Sequence, residues 1–148
     1  ELIPTGIEQY DLAVSMDLFG GSFFVSPFST GDFSGKFTLT IDDNSYLNLG
    51  YEILESPRSK EVFDPHPFVN GKVNWVQENT RYVYPITLSN NEDFKVRGWI
   101  RFTIEPKCTF EEIPFDIICE AGTVRVQQYP KLNKTSCSEV SGNTNQQR

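Results

Sequence analysis

The chain has 148 residues and a formal net charge of −7, from 13 lysines and arginines against 20 aspartates and glutamates. This length fits one domain with a sizeable core. The acidic balance and the lack of any Lys/Arg-rich run argue against a nucleic-acid-binding surface, and no apolar run is long enough to predict a membrane-spanning helix. Twelve Phe, six Tyr and two Trp against one Met favour a β-rich fold, because aromatic side chains pack well on a pleated sheet.

Period-two alternation of apolar and polar residues predicts strands at 7–14, 36–41 and 46–54 in the N-terminal half of the chain, and a short apolar run predicts another at 22–26. Gly20-Gly21 and the run Asp42 to Ser45 supply the turn residues that separate them. In the fourth strand the alternation places one set of apolar side chains on a single face: Leu47, Leu49, Tyr51 and Ile53. A long connection, 56–71, follows.

Five more strands are predicted in the C-terminal half, at 72–76, 81–88, 96–104, 113–118 and 123–128. Pro85 lies inside the second of these and has no N–H to donate, which predicts an edge strand or a bulge there. After Pro130 the chain is polar, so we divide it into a domain at 1–129 and a C-terminal tail at 130–148 that is mobile or lies loosely on the surface.

Taken together, about nine short strands separated by polar turns predict an all-β fold, since no run of ten or more residues shows a helical period. The arrangement favoured is an immunoglobulin-like antiparallel β-sandwich, with a jelly roll as the alternative.

Several segments occur in an order typical of one protein family. They are YEILESP, the loop SKEVFDPHPFVNGKVNW, TRYVYPITL, and VRGWIRFTIEPKC followed by EEIPFDI. From about Tyr46 to Ile117 the chain resembles the N-terminal extracytoplasmic domain of DsbD-type thiol:disulfide interchange proteins. The earlier stretch GGSFFVSPFSTGDFSGKFTL is similar to the first sheet of that family, more weakly.

The resemblance implies an immunoglobulin-like sandwich, a periplasmic or extracellular location, and an activity that passes reducing equivalents to thiol proteins through a cysteine pair. Cys108 matches the second cysteine of that pair, but no cysteine stands near 102–104, where the first belongs. Exchange needs an attacking thiolate and a resolving partner. We therefore expect a non-catalytic protein-binding module, and the alternative is an exchange domain that uses Cys108 with Cys119.

The three cysteines leave several pairings open. A disulfide between Cys119 and Cys137 closes a loop of about 19 residues, worth roughly 3 kcal/mol in the chain-entropy model, and pins the tail to the sandwich. A Cys108–Cys119 disulfide is the second option, and the third is no disulfide, with Cys108 acting as a small buried apolar residue.

The loop Phe63-Asp64-Pro65-His66-Pro67-Phe68 is a candidate contact site. The resemblance places Phe68 where the family's aromatic cap shields the active cysteines, so Phe63, His66 and Phe68 form a predicted cap or partner-binding loop. The alternative is a surface connection whose phenylalanines pack down on the sandwich. His66 is the only histidine and no C-x-x-C motif occurs, so we predict no metal site and no cofactor.

A different class of function is also open. Five phenylalanines near the N-terminus offer either a sugar-stacking platform or part of the core: Phe23, Phe24, Phe28, Phe33 and Phe37. The first option predicts a secreted carbohydrate-binding or adhesion sandwich.

Overall fold

A computed structural model describes residues 1–31, 33–132 and 135–136, the last two for their backbone only. Thirteen strands occur in these ranges, and every pairing between them is antiparallel. They are β1 (Leu2–Gly6), β2 (Gln9–Met16), β3 (Phe24–Val25), β4 (Thr38–Ile41), β5 (Leu47–Leu49), β6 (Leu54–Ser56), β7 (Glu61–Asp64), β8 (Gly71–Val76), β9 (Thr80–Leu88), β10 (Phe94–Ile104), β11 (Thr109–Glu120), β12 (Thr123–Gln128) and β13 (Thr135–Ser136).

Two five-stranded sheets enclose the core, and a smaller sheet flanks them. The first has the order β1-β2-β9-β5, with β6 also on β9, and the second has the order β12-β11-β10-β4, with β13 also on β11. The third contains β3, β8 and β7. The prediction of an all-β sandwich is confirmed. Within the described ranges no helix has the length and apolar character needed to cross a membrane.

Strand alternation fills the core from both large sheets. In β9 the buried positions alternate with less buried ones, so that Tyr82, Tyr84 and Ile86 point inward. Rings from other strands and loops pack on them, and the Phe37 ring stacks on Tyr82 with 4.7 Å between centroids. The other buried members of this core include Phe24, Leu47, Phe94, Val96, Phe102, Phe115 and Ile117.

Pro85 lies in a central strand, so the prediction of an edge strand is wrong. β9 pairs with β2 on one side and with β5 and β6 on the other. β5 ends opposite Ile86 and β6 begins opposite Val83, so Pro85 falls in the gap between them, where no ladder hydrogen bond requires its missing N–H. Its carbonyl still accepts a 2.7 Å hydrogen bond from Gly50 N.

The predicted strand at 46–54 is interrupted at this same gap. Leu47 is buried at 2% exposure, but Tyr51 is 97% exposed, so the predicted single apolar face is wrong. A Cβ at Gly50 would lie 2.6 Å from Pro85 Cγ, and only glycine fits there without a shift. The chain leaves β9 after Gly50 and returns as β6, where Glu55 is buried and Leu54 and Ser56 are exposed.

The described part of the C-terminal tail runs beside β11. Leu132 N donates a 2.9 Å hydrogen bond to Glu112 O, and β13 pairs with Thr109 and Phe110. Lys131 Nζ lies 2.7 Å from Glu111 Oε1. These contacts cover the N-terminal part of the β11 edge, which β12 does not pair with.

Candidate functional site

Cys108 stands in the turn that joins β10 to β11. Its φ of 55° is left-handed, as a tight connection between two long strands requires. The residue is disulfide-bonded, so its sulfur is not a free thiolate in this state of the protein.

Cys119 lies at the far end of the same hairpin, opposite Phe94. About ten residues of extended strand separate it from the Cys108 turn, or about 33 Å, whereas a disulfide requires Cα atoms within about 7 Å. Cys119 is 1% exposed and carries a free thiol. The predicted Cys108–Cys119 pair is therefore wrong, and Cys119 does not form the predicted bond with Cys137, which lies outside the described residues.

The loop Phe63–Phe68 connects β7 to β8 and is held by the side chain of Asp64. Asp64 Oδ1 accepts a 2.9 Å hydrogen bond from His66 N, and Oδ2 accepts one of 2.9 Å from Trp75 Nε1. These two donors lower the pKa of Asp64 below its ordinary value. His66 Nδ1 in turn accepts a 3.2 Å hydrogen bond from Phe68 N. The loop thus has a defined shape.

The two phenylalanines of this loop point into solvent. Phe63 is 63% exposed and Phe68 is 92% exposed. The alternative in which both rings pack down on the sandwich is wrong for Phe68. A ring this exposed does not shield a neighbouring cysteine either, so Phe68 is presented to solvent as an apolar contact surface.

The loop lies near the Cys108 turn. Phe23 N donates a 3.0 Å hydrogen bond to Glu105 O, and the Phe23 ring packs against Trp75, whose Nε1 donates to Asp64 of the loop. Burial raises the pKa of Glu105. Phe19, 80% exposed, adds a third aromatic ring, since it lines a groove of ≈ 630 Å³ together with Glu105, Pro106 and Lys107. We call the loop Phe63–Phe68, the turn Glu105–Cys108 and Phe19 the loop end of the sandwich.

A buried carboxylate network was missed by the sequence analysis. Glu55, at 5% exposure, accepts hydrogen bonds from the hydroxyls of Ser26 (2.6 Å) and Tyr82 (2.7 Å) at Oε2, and from Ser59 N (2.8 Å) and Oγ (2.7 Å) at Oε1. Burial raises the pKa of Glu55, but these donors outweigh it and the net pKa is lowered. Four donors saturate the carboxylate, so it is a structural anchor rather than a general base. The sequence feature that could have revealed this network is Glu55 itself, a glutamate one residue past the end of the predicted strand 46–54.

A second ordered cluster covers the outer face of β10. The guanidinium carbons of Arg97 and Arg101 lie 5.7 and 4.9 Å from the ring centroid of Trp99. Arg97 Nε pairs with Asp116 Oδ1 at 2.8 Å, and Arg101 Nε pairs with Glu112 Oε2 at 2.6 Å. Both arginines are already paired, so the cluster joins β10 to β11.

The N-terminal phenylalanines do not form one platform. Phe24 and Phe37 are fully buried and cannot stack on a sugar. Phe23 packs edge-on against Trp75 at 4.9 Å, and Phe28 lies under the Arg58 guanidinium at 5.0 Å. The carbohydrate-binding alternative gains no support from this set.

The fold and these contacts define a β-sandwich that contains a fully hydrogen-bonded buried carboxylate and that exposes aromatic side chains at its loop end. Among the described residues no group of three or more His, Cys, Asp or Glu side chains is placed to hold a metal ion. Comparison with known family models, with curated proteins and with solved structures finds no match to this chain.

Proposed function

We propose that the chain is a non-catalytic protein-binding module with an immunoglobulin-like sandwich, related to the N-terminal domain of DsbD-type thiol:disulfide interchange proteins. The observation that carries the proposal is the exposure of Phe63 and Phe68 on a hydrogen-bonded loop beside the Cys108 turn. Exposed aromatic side chains on an ordered loop are typical of binding surfaces, because they bury a large apolar area at a small cost in conformational entropy.

The cysteine arrangement argues against exchange chemistry that pairs Cys108 with Cys119. Cys108 is disulfide-bonded and the free thiol of Cys119 is buried at the other end of β11, so Cys119 cannot resolve a mixed disulfide formed at Cys108. A disulfide is also typical of an oxidising compartment, which supports the proposed periplasmic or extracellular location.

The partner that this proposal names is a thiol protein of the same compartment, docked on the loop end. Isothermal titration of the purified chain against a purified thioredoxin-fold domain tests it. We expect saturable binding that Phe68→Ser weakens about tenfold or more, as the loss of an interface anchor does. Ile7→Ser is the matched control, because Ile7 is also 92% exposed but lies at the opposite end of β2.

Two results contradict the proposal. If Ile7→Ser weakens binding as much as Phe68→Ser, the loop end is not the docking surface. If the chain catalyses insulin reduction with a thiol reductant, and Cys108→Ala abolishes this activity, the module is an enzyme.

A further inference from the structure

Cys108 carries a disulfide, and the sequence restricts which cysteine of the chain can be its partner. The chain has three cysteines, at positions 108, 119 and 137. Cys108 is disulfide-bonded, whereas Cys119 is a free thiol buried at the far end of β11. A sulfur joins only one other sulfur in a disulfide, so elimination within this chain leaves Cys137 as the partner of Cys108.

The register of β13 on β11 leads to the same pair. Thr109 lies opposite Ser136, and Phe110 lies opposite Thr135. In an antiparallel ladder, one step back along the first strand is one step forward along the second, so continuing this register by one step would set residue 137 opposite Cys108. Residues directly opposite each other have Cα atoms about 4.5–5.5 Å apart, within the range of about 4.4–6.8 Å that disulfides span.

The described part of the tail leads toward the Cys108 turn. Leu132 N donates a 2.9 Å hydrogen bond to Glu112 O, and Lys131 Nζ lies 2.7 Å from Oε1 of the buried Glu111. Leu132 and the Lys131 side chain are both about half exposed, and contacts of this kind contribute little each. They therefore guide the tail to the turn, and a covalent bond is needed to fix it there.

We propose that Cys108 and Cys137 form an intramolecular disulfide that fastens the C-terminal tail to the turn between β10 and β11. The two thiols lose two protons and two electrons when the bond forms, and the disulfide of a thiol oxidoreductase accepts them and becomes a dithiol. The bond keeps Lys131 beside Glu111, and both side chains line the ≈ 630 Å³ groove of the loop end. The cross-link thus makes the tail one wall of that groove, and a dithiol protein that reduces the bond releases this wall.

Peptide mapping identifies the bond directly. The chain is purified in air and its free thiols are blocked in denaturant with N-ethylmaleimide at mildly acidic pH, where thiol exchange is slow. Trypsin and a glutamate-specific protease then separate the three cysteines into peptides 108–111, 113–120 and 135–139. We expect 108–111 joined to 135–139, and 113–120 carrying a blocked Cys119.

Three outcomes of the map would overturn the proposal. A bond between peptides 108–111 and 113–120 would make Cys119 the partner. Two copies of peptide 108–111 joined to each other would make the bond intermolecular. Recovery of all three peptides with blocked cysteines would mean that no disulfide forms.

Hydrogen exchange tests whether the bond fastens the tail. We expect Cys137→Ser to raise the exchange rate of the segment 129–132 about tenfold or more while the amides of β12 keep theirs. Dithiothreitol should release the same segment in the parent and have no further effect in Cys137→Ser. Cys119→Ala is the matched control, because it removes a cysteine but keeps the bond, so dithiothreitol still releases its tail. Unchanged exchange in Cys137→Ser, or release of its tail by dithiothreitol, would overturn the proposal.

This inference is independent of what docks on the loop end. Phe68→Ser removes an exposed ring of the loop end but no cysteine. We expect it to leave both the peptide map and the exchange of 129–132 as in the parent chain. Failure of the cross-link is therefore distinguishable from failure of the proposed binding function.

Discussion

The Tyr82 hydroxyl donates a 2.7 Å hydrogen bond to Glu55 Oε2 and so joins β9 to β6 inside the sandwich. Ser26, just after β3, donates to the same oxygen at 2.6 Å, and Ser59 Oγ accepts from Asn74 Nδ2 of β8 at 3.2 Å. The network therefore ties the small third sheet to the first large one. We conclude that it positions the β7–β8 hairpin, and with it the loop Phe63–Phe68.

Removing one donor from this network should destabilise the fold. We expect Tyr82→Phe to lower the free energy of unfolding by about 1.5–3 kcal/mol, because Glu55 loses a hydrogen bond to a buried charge. Denaturant unfolding measures the change. Tyr84→Phe is the control, since Tyr84 is equally inward-facing but its hydroxyl has no hydrogen bond among the described residues. Equal costs for the two variants would mean that the Tyr82 bond adds nothing.

The same carboxylate predicts acid sensitivity. The folded-state pKa of Glu55 lies below its ordinary value of 4.5, so the stability it contributes is complete above that value and is lost as the pH falls through the folded-state pKa. We expect the unfolding free energy of the parent chain to fall more steeply between about pH 6 and about pH 3 than that of Glu55→Gln. Parallel pH profiles would contradict this assignment.

Patterning alone predicted the regular part of the fold. In β9 and β10 one face is buried and the other is less so, and in β12 partly buried residues alternate with exposed ones, so period-two alternation identified all three. β7 was missed because its residues are mostly exposed and show no alternation. β1 was missed for a similar reason, since only its first two residues are even partly buried.

The candidate site was predicted less well, because its features depend on contacts between distant segments. The exposed loop Phe63–Phe68 was found from its prolines and phenylalanines, which are local signals. By contrast, Gly50 and Pro85 had to be seen side by side before the break between β5 and β6, which leaves Tyr51 exposed, could be understood. The separation of Cys108 from Cys119 likewise depends on β11 being one continuous strand.

Gly98 is required where β10 passes beneath the Phe115 ring. A Cβ at this position would overlap that ring, which is itself 3% exposed and held in the core. We expect Gly98→Ala to lower the unfolding free energy by about 1–3 kcal/mol through overpacking. If the clash is the cause, adding Phe115→Leu to Gly98→Ala should cost less than the sum of the two single changes. Strict additivity would mean that the ring is not involved.

The buried thiol of Cys119 gives a chemical test of the corrected cysteine arrangement. It is 1% exposed and lies on β11 between Phe94 of β10 and Val124 of β12, so reagent reaches it only when the pairing of β11 with these strands opens. We expect iodoacetamide to modify Cys119 rapidly in denaturant and only at the rate of unfolding in the native protein, as followed by peptide mass mapping. Rapid native-state labelling would place this thiol at the surface. Recovery of Cys119 in a disulfide with Cys108 would instead restore the redox pair that the distance between them excludes.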